Sequence, residues 1–69
     1  MLIQQTLSQL RALRLNAMAD AVEHQRDRPA LQELPFEDRL AMLVEIESQA
    51  RETRRINRLL KTARLKVNG

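Results

Sequence analysis

Residues 36–65 read FEDRLAMLVEIESQARETRRINRLLKTARL, a stretch that contains neither glycine nor proline. Leu, Glu, Gln, Ala and Arg, which favour helix, supply most of its positions. Pro35 suits the first turn of a helix, and Glu37 and Asp38 follow where the helix dipole favours negative charge. The stretch therefore predicts a helix over about residues 36–65.

The apolar positions of this predicted helix change face along its length. In the first half they are Phe36, Leu40, Leu43 and Val44. In the second half they are Ile56, Leu59, Leu60 and Ala63, a set named here the C-terminal stripe. At 100° per residue, the C-terminal stripe lies roughly 150° around the axis from the first set. Either the helix breaks near Glu47–Thr53, or one straight helix buries its two halves against different surfaces.

Two shorter helices are predicted before residue 36. Apolar residues at helical spacing predict the first over about residues 2–12, and Asn16 is a candidate N-cap for the second, over about 17–26. Pro29 should end the second helix, which leaves residues 29–35 as a linker. The predicted fold class is all-α: one domain over residues 1–69, with three helices of which the third is long, basic, and either bent or straight.

Charge is divided unequally along the chain. Residues 1–50 carry five basic and eight acidic side chains, whereas residues 51–69 carry seven basic side chains and only Glu52 as an acid. The seven, predicted here to contact DNA, are Arg51, Arg54, Arg55, Arg58, Lys61, Arg64 and Lys66. A dense block of one sign is electrostatically unfavourable unless a polyanion meets it. The alternatives are a solvated basic face that aids solubility and a surface for an acidic protein.

The helical positions of these charges add two expectations. Arg54, Arg55 and Arg58 fall opposite the C-terminal stripe, so their replacement by alanine should leave folding nearly unchanged. Glu52 falls within that stripe. A buried carboxylate needs a partner, so Glu52 should reach Arg55, pair across an interface, or lie exposed at the edge of the stripe.

No catalytic or metal-binding pattern is present in the sequence. The only glycine is Gly69, so a phosphate-cradling loop is absent, and His24 is the only histidine. Glu23, His24 and Asp27 are better explained as a solvated helix surface than as a metal site. The chain is expected to be non-enzymatic and without metal or cofactor. The absence of cysteine fits a reducing compartment such as the cytoplasm.

Other modes of binding are less consistent with the sequence. The second predicted helix carries Asp20, Glu23 and Asp27, which oppose its use as a DNA recognition helix. Phe36 is the only aromatic residue, so bases could not stack on an aromatic ladder. No apolar run could span a membrane, and no Trp or Phe anchors the basic block at a lipid surface. Sequence-independent contact with the phosphates of double-stranded DNA is therefore the favoured hypothesis.

Three segments together resemble the N-terminal region of IstB-type transposition helper ATPases, relatives of the bacterial helicase loaders. They are LRALRLNAMADAVEHQ (10–25), LPFEDRLAMLVEIE (34–47) and RETRRINRLLKTARLK (51–66), so nearly the whole chain is covered. The third segment is the most specific. Ala17 stands where the family usually has glycine, and Pro35 where a capping Ser or Thr is common.

The resemblance implies a longer protein in which an AAA+ ATPase domain, with ATP and Mg²⁺, follows this N-terminal domain. Such a protein would bind DNA, oligomerise on it and deliver target DNA to a transposase. The arginine-rich block between Arg51 and Arg64 matches the family pattern position by position. The rival hypothesis is a pure interaction module, in which the C-terminal stripe self-associates or docks the ATPase domain or transposase and the arginines meet acidic protein.

Overall fold

The computed structural model describes the backbone of residues 2–68 and the side chains of residues 2–64. The backbone over residues 2–68 forms four helices: α1 (Ile3–Ala12), α2 (Asn16–Arg26), α3 (Pro29–Gln32) and α4 (Phe36–Asn68). The described backbone forms no strand, so the predicted all-α class is confirmed. The three predicted helices begin and end within three residues of α1, α2 and α4.

Two predictions about the connections between the helices were wrong. Asn16 is the first residue of α2 and not its N-cap. The N-cap position is held by Leu15, whose apolar side chain cannot accept a hydrogen bond from the helix. The predicted linker at 29–35 begins with the single-turn helix α3, which has Pro29 in its first turn. The Gln32 Nε2 group donates to the Arg26 carbonyl at 2.7 Å and so holds α3 against the end of α2.

Helix α4 is unbroken over 33 residues. At about 1.5 Å per residue it is about 50 Å long, which accounts for the 52 Å longest dimension of the molecule. Every described side chain from Arg51 to Arg64 is exposed, so the first half of α4 packs on the body formed by α1, α2 and α3 and the second half projects from it. This projecting half is named here the basic arm, residues 51–64.

The face that α4 turns toward α2 differs from the predicted apolar face. Its positions are Arg39, Leu43, Glu47 and Ala50, which are buried or half-buried at spacings of four, four and three residues. By contrast, Phe36, Leu40 and Val44 are 57%, 45% and 52% exposed. Two hydrogen bonds join α2 and α4: the Gln25 Nε2 group donates to the Arg39 carbonyl at 3.3 Å, and Glu47 accepts from the Met18 N–H at the start of α2.

The buried hydrophobic core of the described residues is small. It consists of Leu7, Ala19 and Ala21. A chain of this size buries little apolar surface, so specific polar contacts matter more to its stability than they would in a larger domain. Within the part of the chain that the structure describes, no helix combines the length and apolarity that a membrane crossing requires.

Candidate nucleic-acid interface

The predicted DNA-binding side chains lie together on the basic arm, and those described are all exposed. Six of the seven belong to the described side chains: Arg51, Arg54, Arg55, Arg58, Lys61 and Arg64. The side chain of the seventh, Lys66, lies outside the described residues. These six side chains thus lie on one projecting helix, but they differ in whether an acidic side chain pairs with them.

Three of the arginines already have acidic partners. Arg51 and Arg54 both approach Oε2 of Glu47, with N···O distances of 3.4 and 3.2 Å. Arg55 makes two contacts with the Glu52 carboxylate, at 2.8 and 3.2 Å. Among the described side chains, no acid lies within ion-pair distance of Arg58, Lys61 or Arg64. These last three are therefore the basic groups best placed to take an external anion.

Glu47 organises the junction between the body and the basic arm. Its side chain is only 5% exposed, and its Oε1 atom accepts a hydrogen bond from the Met18 backbone N–H at 3.1 Å. Met18 is the third residue of α2, where a backbone N–H has no partner within the helix. Glu47 therefore caps α2 from another helix, which explains how α2 begins without a capping side chain of its own.

The pKa of Glu47 reflects these contacts. Desolvation by burial raises it, whereas the Met18 N–H and the guanidinium groups of Arg51 and Arg54 lower it, and the net shift is downward from the ordinary value of 4.5. The pair of Glu47 and Arg51 is visible in the sequence as an i,i+4 pair. The contacts with Arg54 and Met18 were missed; the sequence signal for the second is that Leu15, which cannot cap, precedes α2.

Glu52 pairs with Arg55, the first of the three arrangements expected for it. Its carboxylate pairs with Arg55 on the surface of the helix, and the two side chains are 54% and 57% exposed. Hydrogen bonding to Arg55 lowers the pKa of Glu52, and the same hydrogen bond raises the pKa of Arg55. This pair reduces the net charge of the basic arm but leaves Arg55 accessible to solvent.

The basic arm forms one wall of an open groove. This wall includes Arg51, Arg58 and Lys61. The other wall is formed by Leu13 and Arg14 of the turn between α1 and α2 and by Asn16, the first residue of α2. The groove has a volume of about 1160 Å³. An open concave surface of this size, lined by basic groups, suits an extended anion better than a small enclosed ligand.

Arg14 occupies an unusual backbone conformation in this groove. Its φ is 64°, the only positive φ of a non-glycine residue in the described backbone. The Leu15 N–H donates to the Leu10 carbonyl at 2.8 Å and the Arg14 N–H donates to the Arg11 carbonyl at 2.9 Å, the hydrogen bonds of a Schellman motif. Glycine usually takes this position, and another L-residue costs about 1–2 kcal/mol there.

The C-terminal stripe is exposed to solvent along its whole length. Ile56, Leu59 and Leu60 are 44%, 56% and 52% exposed, and Ala63 is also exposed. At 100° per residue the stripe lies on the side of α4 opposite Glu47 and Arg54, which are held to the body. It is therefore an apolar surface without an intramolecular partner among the described residues.

The acidic residues of α2 are engaged elsewhere. Arg11 approaches Asp20 at 2.9 Å and Glu23 at 3.5 Å, which ties α1 to α2. Over the described residues, no group of three or more His, Asp or Glu side chains is arranged to hold a metal ion.

The sequence comparisons identify the family of this chain. The family model described as IstB-like ATP binding protein matches residues 8–69, so the chain belongs to that family. A relative from Pseudomonas fluorescens, encoded by insertion sequence IS1162 and named for ATP binding, is 47% identical over 66 residues. That alignment covers 96% of this chain but only 29% of the relative. No solved structure matches the chain.

Proposed function

We propose that this chain is a DNA-binding and assembly module of a transposition helper ATPase, and that its basic arm contacts the phosphates of duplex DNA. The observation that carries the proposal is the exposure of Arg58, Lys61 and Arg64 on a projecting helix, without acidic partners among the described side chains. Guanidinium and ammonium groups presented in this way match phosphate oxygens. Membership of the IstB-like family supports the assignment to a transposition helper ATPase.

The polar surface of the basic arm favours contact with the backbone of DNA over reading of bases. Its exposed groups are mainly long cations, which bind phosphate regardless of sequence. Arg51 and Arg54 would contribute less than Arg58, because both share their charge with Glu47. Arg55 would contribute after exchange of Glu52 for phosphate, and Lys66 is assigned to the same surface from the sequence.

The remaining functions belong to the longer protein that the family suggests. ATP and Mg²⁺ would bind outside these 69 residues, since a glycine-rich phosphate loop is absent from them. The partners we assign are duplex DNA, a transposase and further copies of the same protein, in the cytoplasm. In this proposal the chain itself catalyses no reaction.

A second candidate function is protein interaction, and the exposed C-terminal stripe favours it. Ile56, Leu59, Leu60 and Ala63 form an apolar surface on the opposite side of α4 from Arg54 and Arg58. The two candidates are compatible, because one face of the basic arm could hold DNA while the other holds a second subunit. They become rivals only if the arginines bind acidic protein instead of DNA.

A salt titration of duplex binding tests the DNA proposal. With five or six phosphate contacts, log K should fall against log salt with a slope of about −5, at roughly −0.9 per phosphate. The double variant Arg58→Gln/Lys61→Gln should flatten the slope by about 2 and weaken binding at least tenfold at ~50 mM salt. The matched control is Arg26→Gln/Arg28→Gln, which removes two exposed charges that do not line the groove.

Two results would overturn the proposal. One is an absence of binding at ~50 mM salt. The other is equal affinity for Arg58→Gln/Lys61→Gln and the control pair, because charge would then act without regard to position. Retained DNA affinity together with lost self-association would support the interaction module.

A further inference from the structure

We propose that Arg14 is a phosphate-contacting residue, and that the DNA backbone lies in the groove between Arg14 and the basic arm. This inference rests on the proposed function and extends it to a second structural element. It assigns binding to a residue 37 positions before Arg51 in the chain, outside the basic block.

The position of Arg14 is the first support. Its side chain lines the same groove as Arg51, Arg58 and Lys61, on the opposite wall. The polar residues Asn16, Ser48 and Asn57 also line this groove, and they can donate hydrogen bonds to phosphate oxygens. A phosphate between the walls would be contacted from two sides.

The charge balance of the groove is the second support. Glu52 is the only acid that lines it, and the Glu52 carboxylate is held by Arg55 at 2.8 Å. Among the described side chains, no acid lies within ion-pair distance of Arg14. The groove therefore has a net positive charge that favours an anionic ligand, and its open form leaves room for a polymer of phosphates.

The backbone of Arg14 is the third support. Glycine would take the φ of 64° without steric strain and would preserve both hydrogen bonds of the Schellman motif, because they use only backbone atoms. The hydrogen bonds of this turn therefore do not require an arginine side chain at position 14. Strained residues that the fold does not require occur preferentially at binding sites.

Contacts from two elements would also orient the DNA. Phosphate contacts from one straight helix allow a duplex to rotate about that helix, whereas a second contact from the α1–α2 turn fixes its direction. The body of the molecule would then hold one defined orientation on the duplex.

Four variants of the 69-residue chain test this inference by duplex binding at several salt concentrations and by thermal unfolding. Arg14→Gln removes the charge and keeps a side chain at the strained position, whereas Arg14→Gly removes both charge and strain. Arg14→Lys keeps the charge, and Arg26→Gln removes one exposed charge away from the groove.

Both Arg14→Gln and Arg14→Gly should weaken binding by about three- to tenfold at ~50 mM salt and flatten the salt slope by about 0.9. Arg14→Gly should also unfold at a higher temperature than Arg14→Gln, so its weaker binding could not be attributed to a damaged fold. Arg14→Lys should retain most of the affinity, and Arg26→Gln should bind like the parent.

Parent-like affinity and slope in Arg14→Gln and Arg14→Gly would overturn the role of Arg14 while the basic arm keeps its assignment. If Arg14→Lys binds as weakly as Arg14→Gln, the positive charge is not what matters and the inference also fails. A parent chain without salt-dependent binding would overturn both the inference and the proposed function.

Discussion

Glu47 shows how one side chain can join two parts of this molecule. Its carboxylate binds the first turn of α2 through the Met18 N–H and the start of the basic arm through Arg51 and Arg54. The carboxylate is nearly inaccessible to water, so loss of any partner would leave a buried charge poorly solvated. The contacts of Glu47 are thus important for the stability of the fold.

Replacement of Glu47 by glutamine should lower the free energy of unfolding at pH 7 by about 1–3 kcal/mol, because the charge-assisted hydrogen bonds are lost. The folded pKa of Glu47 lies below its ordinary value of 4.5. Its contribution is therefore present above that value and is lost as the pH falls through the folded pKa. Urea unfolding at a series of pH values should show the gap between parent and Glu47→Gln closing below about pH 4.5.

Glu45→Gln is the matched control for this experiment. Glu45 lies two residues earlier on α4, is exposed, and bonds only to Gln49 among the described side chains. Its replacement should change stability by no more than about 0.5 kcal/mol. Equal stability of Glu47→Gln and Glu45→Gln at pH 7 would show that the negative charge of Glu47 does not stabilise the junction between α2 and the basic arm.

At the scale of single elements, α4 combines two kinds of arginine in one helix. Arg54 reaches back two turns to a buried carboxylate, whereas Arg58, one turn further on, has no acidic partner among the described side chains. The expectation from the sequence was that replacement of Arg54, Arg55 and Arg58 by alanine leaves folding nearly unchanged. The contact of Arg54 with the buried Glu47 carboxylate argues against it. Arg54, although it belongs to the basic arm, therefore helps to stabilise the buried Glu47 in the first half of α4.

Arg54→Ala should lower the free energy of unfolding by about 0.5–1.5 kcal/mol, because Glu47 loses a charged hydrogen-bond donor. Arg58→Ala should leave it within about 0.5 kcal/mol of the parent, since alanine also favours helix. In duplex binding the order should reverse, with the larger loss for Arg58→Ala. Thermal unfolding and binding measured on the same two variants check both statements, and an equal effect of the two on stability would contradict the first.

The elements of this chain were more predictable than their packing. Helical periodicity and the absence of glycine and proline located α1, α2 and α4, because these are local signals along the chain. The face that α4 buries was located only at Leu43, which is half-buried as predicted. The other buried positions include Arg39 and Glu47 instead of Phe36, Leu40 and Val44. The hydrogen bonds of Arg39 and Glu47 to Gln25 and Met18 join residues that are distant in the sequence, so local patterns could not predict them.

The candidate interface was predicted to a similar extent. The basic block is contiguous in sequence, so its residues could be named before their arrangement was known. Arg14 could not be included, because it belongs to another element and only the fold brings it beside the basic arm. The left-handed backbone at Arg14 has no sequence signal, since arginine is not the residue that usually occupies it.

For the whole molecule, the main feature is an elongated shape with an exposed apolar surface at one end. The dimensions are 52 × 23 × 17 Å, and the C-terminal stripe lies on the part of α4 that projects from the body. Apolar side chains on a projecting helix favour association with a second helix, because burial of such residues stabilises by about 25 cal/mol per Å².

Leu59→Ala/Leu60→Ala should therefore reduce self-association while changing the unfolding of the monomer little, because both side chains are exposed at 56% and 52%. Sedimentation velocity over a range of concentrations measures the first effect, and thermal unfolding at low concentration measures the second. Leu2→Ala is the control, since Leu2 is 67% exposed and lies outside the C-terminal stripe. A parent chain that stays monomeric at all concentrations would refute self-association through this stripe.

The straightness of the basic arm limits how much DNA one molecule can cover. Residues 51–64 extend about 20 Å along the axis of α4 at 1.5 Å per residue, while a duplex rises about 3.4 Å per base pair. A rod of that length, laid along the duplex axis, therefore spans about six base pairs. Protection of a longer stretch of DNA would require several molecules side by side. In our proposal the footprint should therefore grow in steps of about six base pairs, and its length should report the number of subunits bound.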